Sequence, residues 1–427
     1  MAVFLHTEKG KTGEVMGTFH VGLKKTVDDS YEIEVGRSLG GMLAEDLQQG
    51  LVGSGRRFAL ITDSNVEALY ARPLFEQLRQ AGFEGQVFAF PAGEKYKTRE
   101  TKAEIEDRML EAGFRRDCFV LAVGGGVVSD LAGFLAGTYG RGVPFINYAT
   151  TLLAAADASV GGKTAVDTPL ATNLIGLFNQ PKKVYIDIDC WKTLPPREIS
   201  SGLAETVKHA CLADRAFFDY LEIHMEQVRG GEPEACEHIA RRNCEIKYRV
   251  VMQDEREAGL REVLNLGHTV GRAIETLSGY RLLHGEAVSI GLNAACALAI
   301  CMGYMTEAEK TRVRALLKRA GLPVGIPGYI DREALVRKLY TDKKVRSGRL
   351  RFVIPKGIGE IAEFAPGVFA QESARRPHGR SSWKRKRKRK TDGYERRTET
   401  GPGTAGGNHA AENRLREGLR RAVLQVP

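Results

Sequence analysis

Cys118-Phe-Val-Leu-Ala-Val-Gly-Gly-Gly-Val-Val-Ser-Asp130 is the stretch on which the fold turns. Its apolar run, Cys118 to Val123, reads as a buried strand, and the three glycines mark where that strand turns into a helix. Such a turn exposes backbone N–H groups at the positive end of a helix dipole, where a pyrophosphate can be held. Ser129 takes the third place of a Gly-x-Gly-x-x-Gly pattern. The acidic residue, Asp63, precedes the glycines instead of following them by about 20 residues, so the ordinary Rossmann fingerprint does not apply. On these residues alone, a plain tight turn and a dinucleotide site both stay open.

Outward from this stretch the same alternation recurs. Arg57 to Thr62 reads as a strand, Asn65 to Ala81 as a helix, Gln86 to Phe90 as a strand and Thr98 to Ala112 as a helix. Strands spaced by helices predict a mostly parallel sheet, and such sheets bind ligands beyond the carboxyl ends of their strands. Asp63, Ser64 and Asn65, then Gly93 to Lys97, then Gly124 to Gly126, all follow strand ends. From Pro181 helical periodicity takes over, through Ala210, Ile239 to Val251, Gly267 to Leu277, Glu286 to Met302 and Thr306 to Ala320. With 427 residues and 43% hydrophobic content there is material for two cores. The expected organisation is an N-terminal extension (1–26), an α/β nucleotide-binding domain (27–180), an α-helical metal- and substrate-binding domain (181–366) and a basic tail (367–427).

The formal charge of +10 suggests nucleic acid until it is placed along the chain. Residues 371–427 hold 16 Lys/Arg and 6 Asp/Glu, which leaves 47 of each sign in the remaining 370. The body is neutral, and the run Trp383 to Lys390 reads as a solvated tail and not a nucleic-acid reader. Seven scattered cysteines with no Cys-x-x-Cys pair favour reduced thiols and a cytoplasmic protein. Met1 to Leu23 lacks the apolar core of a signal peptide. Ala287 to Tyr304 is the one run to test as a membrane span; Ser289 and Asn293 within it favour a buried helix.

Three groups of residues carry chemistry. Glu205, His268 and His284 offer two imidazoles and a carboxylate, the donor set of a catalytic zinc with an open fourth position, although histidines at helix starts are more often structural. Lys208 lies one turn beyond Glu205 on the same face. Arg141, Lys163, Lys208, Lys247, Arg261 and the Asp342-Lys343-Lys344 run would suit a phosphorylated substrate if they converge. Lys163 stands out because its surroundings are apolar and glycine-rich.

The runs Gly124 to Phe134, Thr138-Tyr-Gly-Arg-Gly142, Thr150-Thr-Leu-Leu153, Asp157-Ala-Ser-Val-Gly-Gly-Lys-Thr164, Asn173-Leu-Ile-Gly176, Gly202-Leu-Ala-Glu205, Gly259-Leu-Arg261, Leu264-Asn-Leu-Gly-His-Thr269 and His284-Gly-Glu-Ala-Val288 occur in the order of the 3-dehydroquinate synthases. The chain resembles that family from about Val27 to Ala365. The resemblance implies an α/β N-terminal nucleotide-binding domain plus an α-helical C-terminal domain, with the active site between them. It implies NAD held around Asp63, Asn65, Glu94, Lys97, Gly125, Gly126, Asp130, Thr150 and Thr151, and zinc or cobalt on Glu205, His268 and His284. It assigns catalysis to Lys163, Lys208, Lys247, Arg261 and Asn265, and substrate contacts to Asp157, Asn173, Lys343 and Arg141, the last reaching the phosphate across a homodimer interface; Arg272, one helical turn beyond His268 on the same face, joins the catalytic set. The implied substrate is 3-deoxy-D-arabino-heptulosonate 7-phosphate, a sugar phosphate taken through transient oxidation, β-elimination of phosphate, re-reduction, ring opening and aldol closure. NAD is returned unchanged. Sister cyclases that make an aminodehydroquinate, a valiolone or an inosose are the alternative; Lys163, Arg261 and Asn265 favour the dehydroquinate type because they suit a carboxylated substrate. Arg272 departs from the family, which usually has a histidine there, four residues after the metal-binding one; Thr172 and Ala149 replace a common lysine and proline.

Overall fold

The computed structural model describes residues 20–53, 57–339 and 350–372. The chain forms two compact units, Met1–Ser30 and Tyr31–Pro427. Residues 20–30 of the first carry no regular secondary structure. Every strand and helix among the described residues belongs to the second.

Six strands, β1 Glu32–Gly36, β2 Arg57–Asp63, β3 Glu84–Phe90, β4 Cys118–Gly124, β5 Phe145–Ala149 and β8 Lys183–Asp187, make one sheet in the order β1-β8-β5-β4-β2-β3. Every pairing in it is parallel. Side-chain alternation builds a core on each face, since successive residues of a strand point to opposite sides. Phe58, Leu60, Phe119, Leu121 and Val123 enter the larger core, and Ala59, Ile61, Val120 and Ala122 the smaller. Helices α1 Gly40–Gln48, α2 Arg72–Gln80, α3 Arg99–Glu111 and α4 Gly126–Thr138 connect or flank these strands. Thr98 caps α3 by accepting the N–H of Thr101, so the helix begins one residue later than the periodicity suggests. From β2 the chain steps to β3 on one side and then to β4 on the other. That reversal leaves a crevice beyond the ends of β2 and β4, between Asp63 and the glycine turn.

A separate antiparallel hairpin, β6 Lys163–Thr168 and β7 Ala171–Phe178, packs on α4. Gly133 makes this possible: a Cβ there would lie 2.4 Å from Thr164 Cγ2. The helical part comprises α5 Pro196–Ala213, α6 Arg215–Arg229, α7 Pro233–Gln253, α8 His268–Leu277, α9 His284–Met302, α10 Glu307–Arg319 and α11 Arg332–Leu339. The larger core runs on through these helices without a break. Helix α9 is long and apolar enough to cross a membrane, with mean hydropathy 1.6, yet 78% of it is buried within the protein. Its two polar residues are spent internally, Ser289 on the Pro323 carbonyl and Asn293 on that of Val324. This is the buried helix expected from those residues.

Two expectations are corrected. The segment after Pro181 is not helical at first: Lys183–Asp187 is a fully buried strand, and its three apolar residues, Val184 to Ile186, are too short a run to separate strand from helix by period. The fold also runs past Pro366. Ala370–Glu372 forms β10, which pairs with β9 Arg351–Val353, although this stretch reads as the start of the tail. Residues 373–427, with the basic run, lie outside the described residues.

Candidate active site

At the sheet end, Asp63 closes β2 and its Oδ1 accepts the N–H groups of Asn65 and Val66 at 2.9 and 3.1 Å. Burial pushes its carboxyl up, partly offset by those bonds. The glycine turn stays concave because it lacks side chains. A Cβ on Gly125 would stand 3.1 Å from Thr151, and one on Gly126 3.1 Å from Ala158. Beside it, Thr150 Oγ1 is buried without a hydrogen-bond partner. Lys97, 3% exposed, sets its ammonium against Glu94 and, at 3.4 Å, Asp130. Burial raises the Asp130 carboxyl to about 6 despite that lysine. An open glycine cradle with an unspent hydroxyl and acidic groups nearby fits a dinucleotide's phosphates and ribose hydroxyls.

The Glu205, His268 and His284 side chains come from three helices whose backbones touch. Gly285 of α9 lies so close to α5 that a Cβ would fall 1.9 Å from the Ser201 carbonyl oxygen. Gly291 of α9 stands equally close to Gly267, whose carbonyl oxygen a Cβ would meet at 1.9 Å, and Gly267 itself has φ +78°, a left-handed conformation natural to glycine. These contacts bring one donor atom from each side chain within 4.8 Å of the others. His268 Nε2 stands 3.6 Å and His284 Nε2 3.5 Å from Glu205 Oε1. His268 Nδ1 faces the Leu266 carbonyl at 3.2 Å, and His284 Nδ1 faces Glu275 at 3.5 Å. A carbonyl or carboxylate behind each ring turns the other nitrogen's lone pair inward, the usual support of a metal-binding histidine. Glu205 is fully buried, touches the Lys208 ammonium, and has no well-formed hydrogen bond to either oxygen. Burial leaves His268 a neutral imidazole, its pKa well below the ordinary value. Donor set and supports fit a divalent metal.

His268 also lines a cavity of about 490 Å³. Around it stand Asp130, Asp157, Lys163, Asn173, Lys247, Arg261, Asn265 and Arg272. Lys247 pairs with Asp157 at 2.6 Å. Burial would raise the Asp157 carboxyl, but Lys247 and Lys208 overcome this and hold it well below the usual range. Lys163 is open to the cavity and pairs with Glu257 at 2.5 Å, and Asn265 donates to the same carboxylate at 2.6 Å. Arg261, 1% exposed, donates to the Gly161 carbonyl at 2.8 Å and that of Glu255 at 2.5 Å.

Two sequence-derived assignments land elsewhere among the described residues. Arg141 sits exposed in the turn after α4, at φ +71°, and does not line the cavity. Lys208 stands behind the cavity wall, where it donates to the Leu264 carbonyl at 2.9 Å. Lys343 falls outside the described residues. The sequence reading missed Glu257, Glu262, Arg351 and the Glu275 support of His284. Glu275 lies nine residues before His284, a spacing that signals nothing until α8 and α9 pack side by side.

Fold and site together define a sugar-phosphate cyclase. The structure of 2-epi-5-epi-valiolone synthase from Streptomyces hygroscopicus subsp. jinggangensis, with NAD+ and Zn2+ bound, matches with a TM-score of 0.73 and 31% identity, over 81% of this chain and 94% of its own. A 2-deoxy-scyllo-inosose synthase complexed with carbaglucose-6-phosphate, NAD+ and Co2+ matches at 0.73 and 25% identity, over 80% and 93%. An iron-containing alcohol dehydrogenase from Thermotoga maritima, TM-score 0.54 and 17% identical, covering 73% of this chain and 91% of its own, shares the fold alone. The 3-dehydroquinate synthase N-terminal model matches residues 87–201 and the C-terminal model residues 202–345. The 3-dehydroquinate synthase of Pelobacter propionicus is 45% identical over 78% of this chain and 92% of its own length; that of a Synechococcus strain is 41% identical over 81% and 95%. The chain belongs to the 3-dehydroquinate synthase family.

Proposed function

We propose that this chain is a 3-dehydroquinate synthase, a carbon–oxygen lyase that converts 3-deoxy-D-arabino-heptulosonate 7-phosphate to 3-dehydroquinate and phosphate. The observation that carries the reading is the meeting of Glu205, His268 and His284 beside a cavity lined by Lys163, Lys247, Arg261, Asn265 and Arg272. Relatives of that name, 41–45% identical over most of their length, support it. The residues that would hold NAD, Asp63 to Thr151, fall within 27–180, and the metal donors within 181–366. When bound, NAD supplies a reversible hydride acceptor and the zinc or cobalt a Lewis acid.

The chain's own residues position and neutralise. Lys163 and Asn265, now shared with Glu257, present donors to an anionic sugar. Asp157 stays ionised against Lys247 and fixes where that ammonium points. Arg261, held by two carbonyls, braces the loop before α8 against the Gly161 turn. These are the contributions of preorganised charge and orientation. At Arg272 a guanidinium cannot accept a proton, so the proton released in elimination must pass to the substrate's own phosphate or to a water. Arg141, being exposed, would act on the phosphate of the other subunit in a homodimer. Seven thiols, all free, accord with the cytoplasm.

The test is phosphate release by the full chain with NAD and zinc, from the heptulosonate phosphate and, in parallel, from sedoheptulose 7-phosphate and glucose 6-phosphate. Release from the carboxylated substrate alone is expected. Turnover confined to a neutral-headed sugar phosphate would make this a sister cyclase.

A further inference from the structure

Helix α9 opens on a metal donor, His284, but its N-cap residue, Leu283, has no polar side chain to meet the first N–H groups of the helix. Such groups find no partner within a helix and are satisfied from outside it. Here helix α5 supplies the cap. Ser201 Oγ accepts the N–H of Gly285 at 3.0 Å, while the N–H of Leu283 donates to Glu286 Oε2 at 2.8 Å. Arg197 grips that carboxylate with two parallel bonds, Nε to Oε1 and Nη2 to Oε2, each 2.7 Å. Its Nη2 donates also to the Arg281 carbonyl at 2.6 Å, in the loop that joins α8 to α9.

Arg197, Ser201 and Glu205 stand four residues apart on α5 and share one face. They meet three consecutive residues of α9 in reverse order, Glu286, Gly285 and His284. We infer that Arg197 and Ser201 are positioning residues for the metal centre, which fix the first turn of α9 so that His284 Nε2 faces Glu205. Neither belongs to the donor set itself. Glu275 turns the imidazole about its own bonds, whereas Arg197 and Ser201 set the backbone from which the ring projects. Through the Arg281 carbonyl, Arg197 also holds the loop between the two histidine-bearing helices. Two parallel N–H donors on two carboxylate oxygens define direction as well as distance, which a lysine ammonium cannot do. Because the Arg197 side chain is 53% exposed, its pairing adds little to the stability of the whole fold. Its effect is local. The inference rests on the metal reading of Glu205, His268 and His284.

Zinc competition against a chromogenic chelator, on the full chain, tests this. Arg197→Met, which keeps the aliphatic stem, should weaken zinc binding about tenfold, the lower end of what loss of an outer support costs a metal site. Arg197→Lys, with its charge but no fork, should fall between wild type and Arg197→Met. Ser201→Ala should weaken zinc in the same direction. The apoprotein of Arg197→Met should melt within about 4 °C of wild type, as expected for loss of a half-exposed ion pair. In the cobalt-loaded protein, the visible absorption reports coordination geometry; it should change in Arg197→Met and return toward wild type in Arg197→Lys. Zinc affinity within about twofold of wild type in Arg197→Met would overturn the inference. So would a weakened zinc site in a variant whose apoprotein melts more than about 4 °C lower, because Arg197 would then support the fold and not the centre. A wild-type chain that binds no zinc would remove the metal reading itself, and the inference with it.

Discussion

Replacing Gly291 with alanine would test whether glycine contacts between helices assemble the metal donors. The added Cβ would stand 1.9 Å from the Gly267 carbonyl oxygen and 2.8 Å from the Gly271 nitrogen, both backbone atoms that no rotamer change can clear. To restore an ordinary contact, α8 and α9 must part by about 1–1.5 Å, and close-packed interiors resist that movement. Overpacking of this kind costs about 1–3 kcal/mol. At about 2–4 °C per kcal/mol, the melting temperature should drop by roughly 2–12 °C. Because Gly267 precedes His268 and α9 begins with His284, the same shift pulls two imidazoles off Glu205, and zinc affinity should fall by about tenfold or more. Thermal unfolding of the apoprotein reads the first effect, and zinc competition against a chromogenic chelator the second. A variant that melts within 1 °C of wild type and binds zinc equally well would refute the reasoning.

Further outcomes rest on the same geometry. His268→Ala should leave the purified protein with little zinc and no phosphate release, because a three-donor set has no spare ligand; a full equivalent of zinc by elemental analysis would contradict this. Glu275→Gln, which removes the carboxylate behind His284, should weaken zinc binding by about 10–100-fold. An unchanged chelator titration would show that Glu275 does not orient the ring. Truncation after Glu372 should leave both melting temperature and activity close to the full chain. Truncation after Pro366 removes β10 and should lower the melting temperature and raise KM, because Ala370 lines the cavity and β10 pairs with β9, which carries Arg351. Equal behaviour of the two truncations would refute a role for β10.

Much of the site was legible because its residues sit where regular structure ends. The glycine turn after β4, Asp63 at the end of β2, and the histidines that open α8 and α9 all stand beside strong local signals. Strand β8 was lost because Lys183 to Asp187 is buried on both faces and shows no alternation. Helix α6, whose N-cap Asp214 directly follows α5, was overlooked although its apolar spacing is regular. The partners of the cationic residues were illegible for a different reason. Glu257 is 94 residues from Lys163, and Glu262 is 89 from Arg351. Such pairings exist only after the loop before α8 folds against the hairpin and β9, and no periodicity announces them.

The burial of α9 has a consequence for how the chain is made. A 19-residue segment this apolar emerges from the ribosome resembling a membrane anchor. The two surfaces its glycines dock on, Ser201 on α5 and Gly267 at the head of α8, have by then already been synthesised. The segment can therefore be covered by earlier helices as it appears, whereas the carbonyls that take up Ser289 and Asn293 arrive only 34 and 31 residues later. Chain order thus gives the most exposed-looking helix of the sequence a shelter before a bilayer or another nascent chain can offer one.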